Sequence, residues 1–137
     1  MRVEDYLIDQ YGKDWHTLLN RWTPPLPNDF TLWLVNRLGE LFIVTGDESV
    51  HLLEFGTGSL HTLASSREQF AQLLDSGNNA ESWLRISLID GCRRAGKYLQ
   101  PDECYGFKVP PILQGKYEVD NLEPVRLDKH YSLIAHL

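Results

Sequence analysis

No apolar run in this chain of 137 residues approaches the ~20 that a membrane-crossing helix requires, so a bilayer-spanning role is not expected. The opening residues, Met1-Arg2-Val3-Glu4-Asp5-Tyr6, turn acidic at once and carry no apolar signal segment, which makes the cytoplasm the expected compartment. Cysteine is scarce. Cys92 and Cys104 belong to no CxxC, and no histidine stands at zinc-ligand spacing near either, so a disulfide framework and a zinc site are both unexpected. Free, buried thiols are the expectation. Positive charge is also short: Lys and Arg total 13 against 19 Asp and Glu, for a net charge of −6. Direct nucleic-acid binding needs a positive field, and this balance argues against it. It suits a basic partner, or simply keeps a small domain soluble.

Motifs that carry chemistry are missing as well. Gly56-Thr57-Gly58 opens a strand-like run, whereas a phosphate loop opens a helix and ends in GK[ST]; it reads as a hairpin turn. No GxSxG elbow presents a nucleophilic serine. Asp102 and Glu103 are adjacent, so their side chains diverge in a strand and cannot flank one bond. Among the histidines, His51 and His61 fall on neighbouring strands that can bring them near each other, with Glu54 the only carboxylate beside them. Strand alternation puts His51 and Glu54 on opposite faces, so no metal site is expected. No catalytic constellation, metal or cofactor emerges from the sequence.

What is present is core material. Hydrophobic residues make up 42%, with Trp 4, Tyr 6 and Phe 5, and charged residues 23%, which are globular values. The length predicts a single domain over 1–137, with residues 1–29 as a helical segment and Pro-rich connector and 30–137 as the core. In the first segment Val3, Tyr6, Leu7, Ile8 and Tyr11 recur at helical spacing up to Gly12. Asp14 then caps a second short helix with Trp15, Leu18, Leu19 and Trp22. Thr23 to Asp29 holds Pro24, Pro25 and Pro27 and reads as an ordered connector. Four strands follow, over 31–37, 40–45, 50–55 and 59–63. Their connections are too short for parallel crossovers, so the sheet is antiparallel.

Next comes a helical region. Ser65 with Glu68 and Ser66 with Gln69 form overlapping capping boxes ahead of Phe70, Leu73 and Leu74. Gly77-Asn78-Asn79 breaks that helix, and Asn78 with Glu81 caps another. Its stripe of Leu84, Leu88, Cys92 and Ala95, flanked by Trp83, Ile86 and Ile89, is wide enough to pack on a sheet. Arg93, Arg94 and Lys97 complement its C-terminal dipole, and Gly96 stands as a C-cap. The last part predicts a strand over 104–109, a turn at Pro110-Pro111, and a strand over 121–127 that Pro124 confines to an edge or bulge. Asp128 caps a final helix bearing Tyr131, Leu133, Ile134 and Leu137. The expected fold class is α+β, a mostly antiparallel meander with helices packed against it.

Two blocks carry a family resemblance. Gly39-Glu40-Leu41-Phe42-Ile43-Val44, Val50 to Leu60 and Glu68-Gln69-Phe70 form the first. Leu99 to Lys108, followed by Pro110 to Leu122, forms the second, with its Tyr-Gly-Phe strand (105–107) and Tyr117-x-x-x-Asn121-Leu122 strand. Together, over roughly 38–137, they resemble the Smi/Knr-like (SUKH) superfamily or a neighbouring branch, and within it the C-terminal domain of type VI secretion immunity proteins. Gln114 stands where that pattern has its first glycine, and the N-terminal region is shorter than in many relatives. The resemblance implies an α+β Smi/Knr-like fold and a protein that neutralises a cognate secreted toxin by direct contact, without catalysis or cofactor. The alternatives are a regulatory or scaffold module of the same superfamily and, third, a small enzyme of unknown chemistry. Acidic turn residues are the candidate partner contacts: Asp47 and Glu48, Asp102 and Glu103, and Glu118, Asp120 and Glu123. Gathered together they would steer a basic toxin, for example a nuclease. Trp15, Trp22, Trp33 and Trp83 are candidates for interface or core.

Overall fold

The computed structural model describes residues 2–20, 26–27, 29 and 30–134. Four strands, β1 (Phe30–Val35), β2 (Leu41–Thr45), β3 (Val50–Glu54) and β4 (Ser59–Ala64), pair in sequence order as an antiparallel sheet, as expected. Helices α2 (Arg67–Leu74), α3 (Asn79–Leu84) and α4 (Ile86–Arg94) follow. A two-stranded antiparallel ribbon of β5 (Glu103–Phe107) and β6 (Leu122–Arg126) then leads directly into α5 (Leu127–Ile134). A short α1 (Trp15–Leu18) precedes the sheet, capped by Asp14, whose carboxylate accepts from the Thr17 amide.

The sheet is covered on both faces, which is why β2 is almost wholly buried. Phe42, Val44, Val50 and Leu52 face α2–α4 and meet Phe70, Leu84, Ile89 and Cys92. Leu88 packs at the margin of that core, so the expected helix-on-sheet contact is present. The opposite face, with Val35, Leu41, Ile43 and Leu53, meets Ile8, Leu19, Cys104 and Tyr131. A bulge at Trp33 lets β1 serve both cores. The register steps from Leu32↔Ile43 to Leu34↔Phe42, so Trp33 and Leu34 turn to the same side. There Phe70 is the hub, edge-on to Trp33 at 5.1 Å and to Phe42 at 5.7 Å, and stacked on Trp83 at 5.2 Å. Trp15 packs against the other core, and Trp22 lies outside the described residues. Cys92 and Cys104 are free, buried and divided between the two cores. Burial pushes both thiols up and keeps them protonated.

Several local expectations are corrected. The helix expected from Val3 to Tyr11 is one 3-10 turn at Val3–Tyr6, after which the chain extends and bridges β1. The Ile8 amide donates to the Val35 carbonyl at 2.8 Å, and this strand-like pairing sends Tyr6 to one core and Ile8 to the other, which a helix cannot do. The connector expected at 23–29 falls largely outside the described residues. The helix expected to run through Leu84, Leu88, Cys92 and Ala95 is two helices. Arg85 between them takes φ 56°, in the left-handed region, and Ala95 lies exposed past the end of α4. Asn78 gives no side-chain cap. Glu81 instead accepts from the Ser87 amide at the start of α4. Of the overlapping boxes, Ser66 caps through the Gln69 amide, while the Gln69 side chain accepts from the Ser65 amide. Asp128 lies inside the first turn of α5 and pairs with Arg126. Gln114 adopts a glycine-like φ of 72°. Gly115 beside it is obligatory, since a Cβ there would sit 1.6 Å from the Val109 carbonyl oxygen.

Phe70→Ala removes the ring on which three aromatic neighbours converge. It is expected to cost about 3–5 kcal/mol in urea unfolding, with the far-ultraviolet spectrum of the folded state retained.

Candidate functional site

The turn joining β1 to β2 is buried, and this is unusual for a hairpin connection. Asn36 organises it. Its Oδ1 accepts from the Leu38 and Glu40 amides, and its Nδ2 donates to Glu40 Oε1 at 2.8 Å and to the Trp83 carbonyl at 3.0 Å. Glu40 is only 3% exposed. An isolated carboxylate at that depth is costly, and Arg85 supplies the charge. Its Nε and Nη2 each stand 3.0 Å from a Glu40 oxygen, a bidentate fork, and Nη2 also reaches Glu54 Oε1 at 3.1 Å. Glu54 Oε2 in turn meets His61 at 3.2 Å, and the Tyr117 ring lies 4.5 Å from the Arg85 guanidinium carbon. Burial pulls the guanidinium pKa down, but the hydrogen bonds and charge of Glu40 outweigh it and hold Arg85 above its ordinary value. Burial first, and then the Glu40 charge, raises the Tyr117 phenol. Sequence reading did not single out Glu40 or Arg85, and weighed Glu54 only as a carboxylate beside His51 and His61. The one signal was a glutamate opening an otherwise apolar block, Leu38 to Val44. Chemically the cluster is spent on itself, with both Glu40 oxygens engaged, and it welds the sheet to the α3–α4 junction.

A second array lies on the opposite face. Thr62 and His51 Nδ1 are 3.0 Å apart, as are His51 Nε2 and Thr45 Oγ1, and Thr45 donates to Asp47 at 2.6 Å. Because Thr45 gives its proton to the carboxylate, it accepts from His51 Nε2–H, and Thr62 donates to Nδ1. The Thr45 hydroxyl and the Ser49 amide hold the Asp47 carboxyl below its usual range. His51 and His61 do not come together. His51 pairs with Thr62 and His61 with Leu52, so they point to opposite faces, as do His51 and Glu54.

The candidate acidic contacts fall in separate places. Asp47 and Glu48 form the exposed β2–β3 turn, Glu48 with φ 70°. Asp102 is exposed and lies 3.6 Å from Arg126. Glu103 and Glu123 line one groove of about 590 Å³ between the β5–β6 ribbon and α5. Glu118 lines a second, more open cleft of about 540 Å³ beside Arg85, Arg94 and Tyr117, and Asp120 is exposed on the same loop. Lys97 fixes that loop by donating to the Val119 and Leu122 carbonyls. Of the other cations, Arg93 lies over the Tyr6 ring at 5.4 Å. Among the described residues no group of His, Cys, Asp and Glu has the arrangement of a metal site, and no helix is long and apolar enough to cross a membrane.

Two stability outcomes follow from this geometry. Arg85→Met strands Glu40 and is expected to cost about 3–5 kcal/mol in urea unfolding, whereas adding Glu40→Gln to it recovers part of the loss. His130 on α5 is 3% exposed, and burial pushes its imidazole down to about 4. The unfolded chain therefore binds the proton more tightly. The stability from the neutral ring is full above about pH 6.5, falls as pH drops, and is gone below about pH 4. Unfolding free energy should drop by about 2 kcal/mol more between about pH 7 and about pH 5 in the parent than in His130→Gln.

Comparison with known proteins agrees with this architecture. A family profile described as "T6SS immunity protein Tdi1, C-terminal" matches residues 64–137, more than half of the chain. No curated protein matches significantly. Among solved structures, the crystal structure of Atu4351 from Agrobacterium tumefaciens superposes with a TM-score of 0.60 at 14% identity, over 88% of this chain and 62% of that one. The likeness is one of fold, and the chain spans less than two thirds of that protein's length. By the profile match, the chain belongs to the family of type VI secretion immunity proteins, its residues 64–137 forming their C-terminal domain.

Proposed function

We propose that this protein neutralises a cognate secreted toxin by binding it directly, without catalysis or cofactor. The family match over residues 64–137 is the observation that carries the reading. The charge of −6 supports a basic partner surface, such as the phosphate-gripping face of a nuclease, because an acidic inhibitor reproduces the substrate's field. Asp47 is the best prepared of the acidic candidates. Its carboxylate is exposed yet held by Thr45 and by the Ser49 amide, so docking costs little side-chain entropy. Glu48 stands beside it, with Asp102, Glu103, Glu118, Asp120 and Glu123 as further contacts.

The experiment is surface binding kinetics against the toxin encoded beside the gene, with toxicity rescue in co-expression as the functional readout. Saturable binding is expected, with an association rate that falls about ten-fold or more as salt rises from low to well above physiological strength, because the Debye length shrinks from ~30 Å at low salt to below ~8 Å. The Asp47→Lys/Glu48→Lys pair is expected to slow association several-fold while changing dissociation less than about two-fold. An unchanged rate across salt and variant removes the electrostatic reading. Absence of binding and of rescue removes the immunity function.

A further inference from the structure

The four-stranded sheet has two outer strands, and the molecule treats them differently. Along β1 the N-terminal segment closes the edge. Leu7 bridges to Asn36, the Ile8 amide donates to the Val35 carbonyl, and Gln10 Nε2 donates to the Trp33 carbonyl at 2.8 Å. In the ribbon, the Tyr105 amide of β5 is bonded to the Arg37 carbonyl, and β6 carries Pro124, which has no N–H to offer. The outer edge of β4 has no such cover among the described residues. Leu60, His61 and Thr62 are exposed in succession, on both faces of the strand.

The usual protections are also scarce there. The strand Ser59-Leu60-His61-Thr62-Leu63-Ala64 holds no Lys, Arg, Asp, Glu or Pro. Its one device is a bulge at Leu63, which leaves Ser59 to Thr62 in regular register with β3. Unpaired N–H and C=O groups along such an edge are a template for another extended backbone. The flanking side chains add a pattern. Leu60 is 37% exposed and lies on the face toward α5, opposite Leu53. His61 lies on the face toward α2–α4, beside Glu54, whose Oε2 it meets at 3.2 Å.

Charge selects between the sources of such a strand. A second copy carries the same net charge of −6, and its own β4 brings Glu54 no cation beyond another histidine. A basic partner supplies both long-range attraction and a Lys or Arg for Glu54. Resting on the toxin-binding role proposed for the chain, we propose that β4 receives an extended segment of the toxin as a fifth strand. Backbone bonds along Ser59 to Thr62 hold it. An apolar side chain of that segment lies against Leu60, and a cation opposite His61 reaches Glu54. Asp47 and Glu48 then act on encounter, and the β4 edge on retention.

The experiment uses the full chain, nitrogen-15-labelled, free and bound to the toxin encoded beside the gene, with amide hydrogen exchange read residue by residue. Outward amides within residues 60–62 are expected to exchange freely in the free chain and about ten-fold or more slowly in the complex. Leu60→Pro and His61→Pro test the same edge. Neighbouring residues of an antiparallel strand direct their N–H groups alternately, so one of the two prolines removes an outward donor and spares the ladder to β3. The variant that keeps its urea midpoint is expected to dissociate about five-fold or more faster than alanine at the same position, with association changed less than about two-fold. If neither proline variant folds, exchange in the parent complex decides. A toxin complex whose edge amides exchange as in the free chain overturns the proposal and leaves the immunity function standing. Protection that arises without toxin and grows with protein concentration also overturns it, by placing a second copy on the edge. Absence of toxin binding removes both.

Discussion

The structure depends on one buried ion pair, Glu40 with Arg85. A carboxylate at the start of a core strand is tolerated only because a guanidinium arrives to meet it with both prongs. To deliver that guanidinium, the chain breaks a helix. Arg85 adopts a left-handed backbone that L-residues visit at a cost, and α3 and α4 diverge on either side of it. The strain of the junction and the charge of the turn are thus solved by the same contact. Buried pairs of this kind are weak sources of net stability, but removing one partner leaves the other charge buried and unpaired, which is costly.

The β1–β2 turn is where the layers of the molecule meet. Besides Arg85, it receives the Asn36 bond to the Trp83 carbonyl, the Tyr105 amide bonded to the Arg37 carbonyl, and the Tyr131 hydroxyl bonded to the Gly39 carbonyl. Helices, ribbon and α5 are therefore all referenced to five residues, 36–40. Gly39, with φ 77° and His130 and Tyr131 pressed against it, has no room for a side chain. Backbone bonds between residues 36 and 40, together with the Asn36 side chain, satisfy this turn, which is how a hairpin connection survives burial.

Asp47 presents a negative charge on an exposed turn, held there by the Thr45 hydroxyl and the Ser49 amide. On α5 the buried His130 ring lies between two glycines, with Nδ1 toward Gly106 and its unpaired Nε2 toward Gly39.

The elements legible in the sequence were those set by local periodicity and turn chemistry. The four strands with short glycine turns, the Ser66 cap, the Pro124 edge strand and the helical spacing of Leu88 and Cys92 within α4 rest on interactions a few residues apart. What the sequence could not reveal depends on partners far along the chain. Tyr6 to Ile8 read as helix because their spacing fits one, but pairing with β1 outweighs propensity in so short a segment. The break at Arg85 has no glycine or proline to announce it, since its cause is a carboxylate 45 residues earlier. Glu40 looked like an ordinary strand residue, Glu54 was weighed only beside His51 and His61, and His130 looked like one helical residue among others. Which of them is buried, paired or left unsatisfied is decided only when sheet, ribbon and α5 close around the turn at 36–40. Burial and charge pairing are properties of the packed chain, and periodicity alone does not contain them.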